Sequence, residues 1–527
     1  MRKSLTILLA VAFIVAALPA AAELQNVVVG GSIKIRGNYL MNGFASPGPV
    51  EVRWPGFFLP ARAIGDRIGG NTVTSIYSWN EDRSNDLTNI EQLTRLNVRA
   101  DFTNEVSAFI EFDSYGLWGT DFRSNYITGF DFRNVPTLND VDLHQGYIEA
   151  REMFGYPLRA RIGRQELSFG NEWLVGTGGS VAGIWKRSFD AVRLTYATDQ
   201  FSVDAWWSKL VENSPLEQDG DVDFYGIYGS YKGIENLTLD AYWLLVRDAR
   251  RLNDTNFAWF PEWVEDIAGI DDYDVTNLHT IGLRGAGTYG SFDYNAELAY
   301  QFGNADQVGI LFKPFTYGDQ GANYDGNWGG NLEVGYTFDM NYSPRVYLGA
   351  AYLGGEDNRD ISFWKWLNPF DRPKASVSFN RLFTSWEYNA IFDDGTTSNL
   401  SNAWVLRAGA SCKPTEATEA ILMLSYFETL SAFSTPRTFN VGRFRVPIAP
   451  ALSFWDQTNS SDLSFEVGLI GKYHYSEDLC FMLAYAHQFI GDGLSDGNYS
   501  GANGLGFNGG SGNSDADSIF FEAEIKF

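Results

Sequence analysis

The chain of 527 residues is short of several things, and each shortage excludes something. It has only two cysteines, Cys412 and Cys480, too few for a disulfide scaffold or a multi-thiol metal site. Strand alternation puts Cys412 on a face with Ala408 and Ala410 and sets Cys480 opposite Phe481 and Leu483, so the two are expected on different sides of a sheet, unbonded. His144, His279 and His487 stand alone in sequence, without metal-ligand spacing. Basic residues are outnumbered, 39 Lys+Arg against 65 Asp+Glu, for a formal net charge of −26. That balance lacks the cationic footprint of nucleic-acid binding. No glycine loop leads from a strand into a helix to cradle phosphate, and helical periodicity is rare throughout. Beyond Glu23 no stretch approaches the ~20 apolar residues of a spanning helix.

What is present points elsewhere. The opening "MRKSLTILLAVAFIVAALPAAAEL" joins a basic start, an apolar run and small residues, the pattern of a cleaved secretory signal over residues 1–22. Residues 23–527 then read as one domain. Aromatics make up 16% of the chain and Gly numbers 54, concentrated in short alternating runs, which suits an all-β protein with many turns. About eighteen such runs can be traced, from Ser32–Asn42 to Ala516–Phe527, each near the ~9–11 residues of a tilted membrane-crossing strand. Every second connection is tight, as at Thr198–Gln200, Gly233–Asn236 and Ser476–Asp478. Those between are mostly long, as at 43–91, 355–400 and 491–515. A soluble sandwich has no reason to keep that parity. A transmembrane antiparallel β-barrel does, with short periplasmic turns and long extracellular loops. The final strand, "SIFFEAEIKF", alternates and ends on Phe527, similar to the signal that barrel-assembly machinery reads in outer-membrane proteins. In hydrocarbon the sheet must close on itself, and eighteen strands leave room for an aqueous channel. Tyr39, Trp206, Trp207, Trp243, Tyr475 and Phe489, near strand ends, are expected to form interfacial girdles.

The stretch "PLRARIGRQELSFGNEWLVG" then raises a question of direction. Leu158, Ala160 and Ile162 alternate with Arg159 and Arg161, and a lipid-facing arginine would cost about 2–4 kcal/mol near the midplane. The arginines are therefore expected inside. The same parity places Lys34, Arg36, Arg95, Arg99, Arg193, Arg284 and Arg407 in the lumen. Arg164 breaks parity with Arg161, with Gly163 as a bulge or twist between them. Acids fall on inward parity as well, among them Glu111, Glu149, Asp204, Asp240, Glu297, Glu333 and Glu522. Two readings stand side by side: ion pairs that brace the barrel, or unpaired guanidinium groups that form a track for a polyanion.

The run "LRARIGRQELSFGNEWLVG", followed by "RSFDAVRLTY", resembles the alginate export family of outer-membrane barrels. "FNRLFTSWEYNAIFDD" is similar to an external-loop segment of that family. The resemblance implies an eighteen-stranded barrel whose arginine-rich lumen guides a uronate polymer outward. It also implies that Arg161, Arg164, Glu166 and Arg193 line a constriction. Exporters of alginate have one long periplasmic turn, whereas every periplasmic turn here is short, so a porin for small anions is the companion reading. The outer-membrane location, the lipid partner and a non-enzymatic, cofactor-free role follow from the same picture.

Three further features carry less. Acidic loops (Glu81, Asp82, Asp86; Glu217, Asp219, Asp221, Asp223; Asp271, Asp272, Asp274) read as solvated surface, with divalent-cation bridging and surface adhesion as the sharper alternative. His474 and Ser476 form a His-x-Ser pattern that also occurs in a barrel phospholipase, but a match of two residues has almost no specificity. "GGSGNSDAD" departs from a calcium nonapeptide at Ser514 and reads as a loop tip.

Overall fold

The computed structural model describes residues 24–42, 86–102, 105–119, 141–178, 184, 186–212, 221–249, 275–304, 323–355, 379–389, 391, 400, 403–430, 438–441, 444–447, 461–492 and 515–527. The signal segment, most of the long loops and the first six residues of "GGSGNSDAD" lie outside them.

The strands are β1 Asn26–Met41, β2 Leu87–Asp101, β3 Val106–Leu117, β4 Asp142–Ala150, β5 Leu158–Gln165, β6 Phe189–Ala197, β7 Phe201–Val211, β8 Val222–Ile234, β9 Leu237–Asp248 and β10 Thr276–Tyr289. β11 Phe292–Asn304, β12 Asn323–Thr337, β13 Arg345–Leu353, β14 Ala403–Thr415, β15 Thr418–Thr429, β18 Asp462–His474, β19 Leu479–Ile490 and β20 Ala516–Lys526 complete one 18-stranded sheet. Two four-residue strands, β16 Thr438–Val441 and β17 Phe444–Pro447, form a separate ribbon that alternation did not reveal. Each barrel strand pairs antiparallel with its sequence neighbour in the sheet. β20 returns to β1 in register Lys34↔Glu524 and Arg36↔Glu522, so no edge remains. The closure ends on Phe527, whose N–H and C=O both bond the backbone of Gly31.

β1, β2 and β12 begin five or six residues earlier than alternation suggested; in β1 the added residues 26–31 continue the ladder against 96–101 of β2. The short ends turn through positive φ at Asn236 and Gly290, residue types that tolerate it, and at Tyr342, where a bulky side chain makes the turn costlier. Outward positions carry exposed apolar side chains such as Ile148, Ile162, Leu283 and Leu348, as a hydrocarbon solvent requires. No helix among the described residues is long and apolar enough to cross a membrane. Crossing is by strands.

Candidate functional site: the lumen wall and its inward-folded loops

The inner wall is a belt of charge held by neighbouring strands. In β5, Arg161 donates from Nε to Glu149 of β4 at 3.0 Å, and Arg151 donates to the same carboxylate at 2.6 Å. Arg193 of β6 bonds Asp204 of β7 at 2.8 Å. Arg284 of β10 bridges Asp240 of β9 at 2.7 Å and Asn295 of β11 at 2.8 Å. Arg345 ties Asp293 at 2.9 Å to Glu333 at 3.0 Å, and Arg407 reaches Glu333 at 3.5 Å. At the closing seam Arg36 donates to Glu522 at 2.8 Å, and Lys34 stands 3.4 Å from the same residue. Arg99 pairs with Asp101 on its own strand at 2.9 Å. Arg95 faces Glu111 and Glu166, each at 3.7 Å.

Arg159 is the exception. Its only hydrogen bond among the described residues goes to Thr195 Oγ1, at 3.3 Å, and it makes no ion pair there. It lies on the face that also carries Arg161, and Arg161 is the register partner of Arg193. Three guanidinium groups therefore share one patch of wall over two strands.

Arg164 belongs elsewhere. It was expected in the lumen, but it is bonded to its register partner Asp190 at 2.7 Å, on the face that carries Ile162, Val192 and Leu194. Both partners are about half exposed. Gly163 keeps the alternation intact: its φ is +128°, and a Cβ there would lie 2.3 Å from the Gly146 carbonyl oxygen. The twist is local and does not turn Arg164 inward. Asp190 is in turn register partner of Lys209, and Lys209 of Asp223, so one charged residue per strand forms an outer row at the long-loop end. Asp221 and Asp223, expected as solvated loop acids, both hold Lys209, at 2.5 and 3.1 Å.

The largest departure is inside the barrel. The segment that follows β5, residues 166–178, and residues 379–389 and 391 of the segment read from sequence as an external loop fold inward and meet. Phe383 N–H bonds Leu174 O, Gly176 N–H bonds Phe383 O and Ser385 N–H bonds Glu172 O, each at 2.9 Å. Trp173 Nε1 donates to Tyr388 Oη at 2.8 Å, with both side chains fully buried. Wall residues pin the second segment: Gln301 exchanges two hydrogen bonds with the Asn380 backbone at 2.7 and 2.8 Å, Ser425 Oγ donates to Tyr388 O at 2.7 Å, and Asn389 donates to Glu466 at 2.7 Å. Apolar rings fill the space between. Phe169 stacks on Trp206 at 4.5 Å and on Tyr228 at 4.9 Å, and Phe383 packs on Phe224 at 4.7 Å.

Trp206 is therefore in this core, not in the girdle assigned to it. Gly226 makes room for it, since a Cβ there would meet the indole at 2.0 Å. Tyr39, Trp207, Tyr475 and Phe489 are exposed on the outside as a girdle requires. The pairing of two loops about two hundred residues apart left no periodic signal in the sequence; only the runs of aromatics in "LSFGNEWLVG" and "FNRLFTSWEY" hinted at burial. At the far end, Ser476 Oγ accepts backbone N–H groups of Asp478 and Leu479, the ordinary work of a turn serine.

A closed barrel with an apolar outside, a charged inner wall and loops folded into its lumen is an outer-membrane channel. A family model described as alginate export matches residues 80–507, and the chain belongs to the alginate export family. Both long motifs that meet in the lumen fall within the matched region. The family and fold are those of transport channels of the Gram-negative outer membrane, not of enzymes. No curated protein matches the sequence. Among solved structures, Pseudomonas aeruginosa OccK11 (OpdR) aligns with 96% of this chain and 97% of its own, at 9% identity and a TM-score of 0.48. Acinetobacter baumannii OccAB1 aligns with 96% of this chain and 99% of its own, at 12% identity and a TM-score of 0.47.

Proposed function

We propose that this channel passes anionic solutes, with uronate-type polysaccharide as the favoured class, and that Arg159, Arg161 and Arg193 form the patch that receives their carboxylates. The observation that carries the reading is Arg159, a wall guanidinium with no carboxylate of its own among the described residues, beside two arginines that have one each. A guanidinium offers a planar fork matched to a carboxylate. A passing carboxylate binds Arg159 first and then exchanges with Glu149 and Asp204 for their arginines. Each site is weak, which is what passive transit needs. The inward-folded loops narrow the path beside this patch.

A second reading has its own support. Apart from Arg159, every inward cation expected from sequence has a carboxylate within 4 Å, which is the pattern of a wall braced by ion pairs in a general porin.

Single-channel recording in a planar bilayer separates the two. Anion preference, block by polyuronate and loss of that block in Arg159→Ala with Arg161→Ala support polymer transit. Cation preference without block would leave the bracing reading.

A further inference from the structure

Where residue 166 leaves the wall, β2, β3 and β4 bring Arg95, Glu111, Asp113 and His144 around Glu166. Alternation alone would not have placed His144 there. A register shift in the β3–β4 ladder pairs Glu111 with Gln145 but Phe112 with Leu143, so His144 is the extra residue of a bulge and turns inward, buried. Its Nε2 lies 2.9 Å from Glu166 Oε1 and 3.9 Å from Glu111 Oε1. Its other nitrogen, Nδ1, faces Asp113 Oδ2 at 3.5 Å. The donor atoms of Glu111, His144 and Glu166 all lie within 4.8 Å of one another.

Arg95 supplies an independent sign that this cluster is incomplete. Several wall guanidinium groups sit 2.6–2.8 Å from a carboxylate, as in Arg161–Glu149, Arg193–Asp204 and Arg284–Asp240, while Arg407 stands 3.5 Å from Glu333. Arg95 instead stands back at 3.7 Å from Glu111 and Glu166 and 3.8 Å from Asp113. It is 6% exposed, and its Nε and Nη2 have no hydrogen-bond partner among the described residues. Glu166 lies closer to His144 Nε2, at 2.9 Å, than to the guanidinium. Charge agrees: three carboxylates face two fixed cations, Arg95 and Lys186, the latter 3.6 Å from Glu166.

We propose that Glu111, His144 and Glu166 bind a divalent first-row transition ion of the zinc type, and that an oxygen ligand on the ion takes up the free donors of Arg95. Metal–ligand bonds of ~2.0–2.2 Å set tetrahedral donors ~3.3 Å apart, and the observed 2.9 and 3.9 Å bracket that separation. One imidazole with two carboxylates is a mixed N/O set that zinc accepts and that magnesium or calcium, which favour oxygen alone, suit poorly. Asp113 against Nδ1 is the outer carboxylate that orients a metal-binding histidine and fixes its tautomer. The ion ties the root of the inward segment, at Glu166, to β3 and β4.

The test uses the full barrel refolded in detergent, stripped with chelator and titrated with zinc chloride by calorimetry. One zinc per chain is expected. His144→Ala and Glu111→Gln each abolish it, and Asp113→Asn weakens it about 10–100-fold. Heat-modified gel mobility shows which variants have folded, and Glu111→Gln answers if His144→Ala does not fold. X-ray absorption of the loaded protein shows an N/O shell with one imidazole. Absence of saturable zinc binding overturns the proposal, and so does binding that survives in folded His144→Ala or Glu111→Gln, since the ion would then sit on other acids.

Discussion

The lumen holds two regions that are built on opposite terms. The charged belt is made of side chains bonded within a strand or to a strand one or two places away: Arg193 and Asp204 are 11 residues apart in sequence, Arg161 and Glu149 are 12. The inward core is made of residues far apart, Trp173 and Tyr388 being separated by 215. Most belt contacts lie between residues of the barrel strands themselves, so they form with the barrel wall. The core depends on two long loops finding each other inside a finished barrel. The belt is therefore a property of the wall and the core a property of docking. One can be disturbed without the other, which makes the comparison open to experiment.

The largest effect is expected from undocking the core. Trp173→Ala removes a fully buried indole and leaves the Tyr388 hydroxyl without its donor, which costs about 3–5 kcal/mol by analogy with buried aromatic truncations. That loss falls on the loops, because the strand ladders are untouched. Single-channel conductance should rise several-fold while the folded barrel keeps its heat-modifiable mobility. Conductance unchanged from the parent would mean that the loops do not limit the path. Gly226→Val should act in the same direction but less strongly, since it forces Trp206 off the wall and disturbs the stack with Phe169.

Damage to the belt at its seam should show in stability instead. Arg36 is 1% exposed and pairs with Glu522 across the β1–β20 closure. Glu522→Gln strands that guanidinium and is expected to cost about 3–5 kcal/mol, the range for breaking a buried pair. The temperature at which the folded band is lost on gels should fall, with little change in ion selectivity. A variant as heat-resistant as the parent would show that Lys34 and water carry the seam without the carboxylate.

A smaller change is expected where the belt meets the proposed transit patch. Glu149→Gln releases Arg161 and Arg151 from one shared carboxylate, adding to the cationic patch around Arg159. Reversal potentials in a salt gradient should shift toward anions, by a few millivolts to tens of millivolts on the scale of RT/F. A shift toward cations would contradict the patch.

How much of this was legible in sequence follows the same division. Period-two alternation marked all eighteen barrel strands and the inward direction of Arg161, Arg193, Arg284 and Arg407, because lipid on one side leaves an arginine a single affordable face. Alternation could not tell which arginine lacked a carboxylate, since that depends on strand stagger between neighbours. It was blind to His144, whose inward turn needs a bulge, and it read Trp206 as girdle although its parity matches that of Asp204, an inward residue. The inward loops had no period to read. Their burial comes from side chains that meet only after closure.

The smallest predicted effect bears on the one arginine that left the belt. Arg164 and Asp190 form a half-exposed pair on the outer face, where neither side chain is desolvated and each has water as an alternative partner. Such pairs contribute about 0–1 kcal/mol, so Arg164→Ala should leave the heat resistance of the folded band nearly unaltered. The informative readout is the comparison with Arg161→Ala, three residues away on the same strand but on its opposite face. Arg161→Ala removes a guanidinium from the lumen and should move ion selectivity; Arg164→Ala should not, because its charge lies outside the barrel wall and is screened there by Asp190 and solvent. Equal shifts from both substitutions would put Arg164 back in the lumen and would mean that the Gly163 twist turns the end of β5 inward.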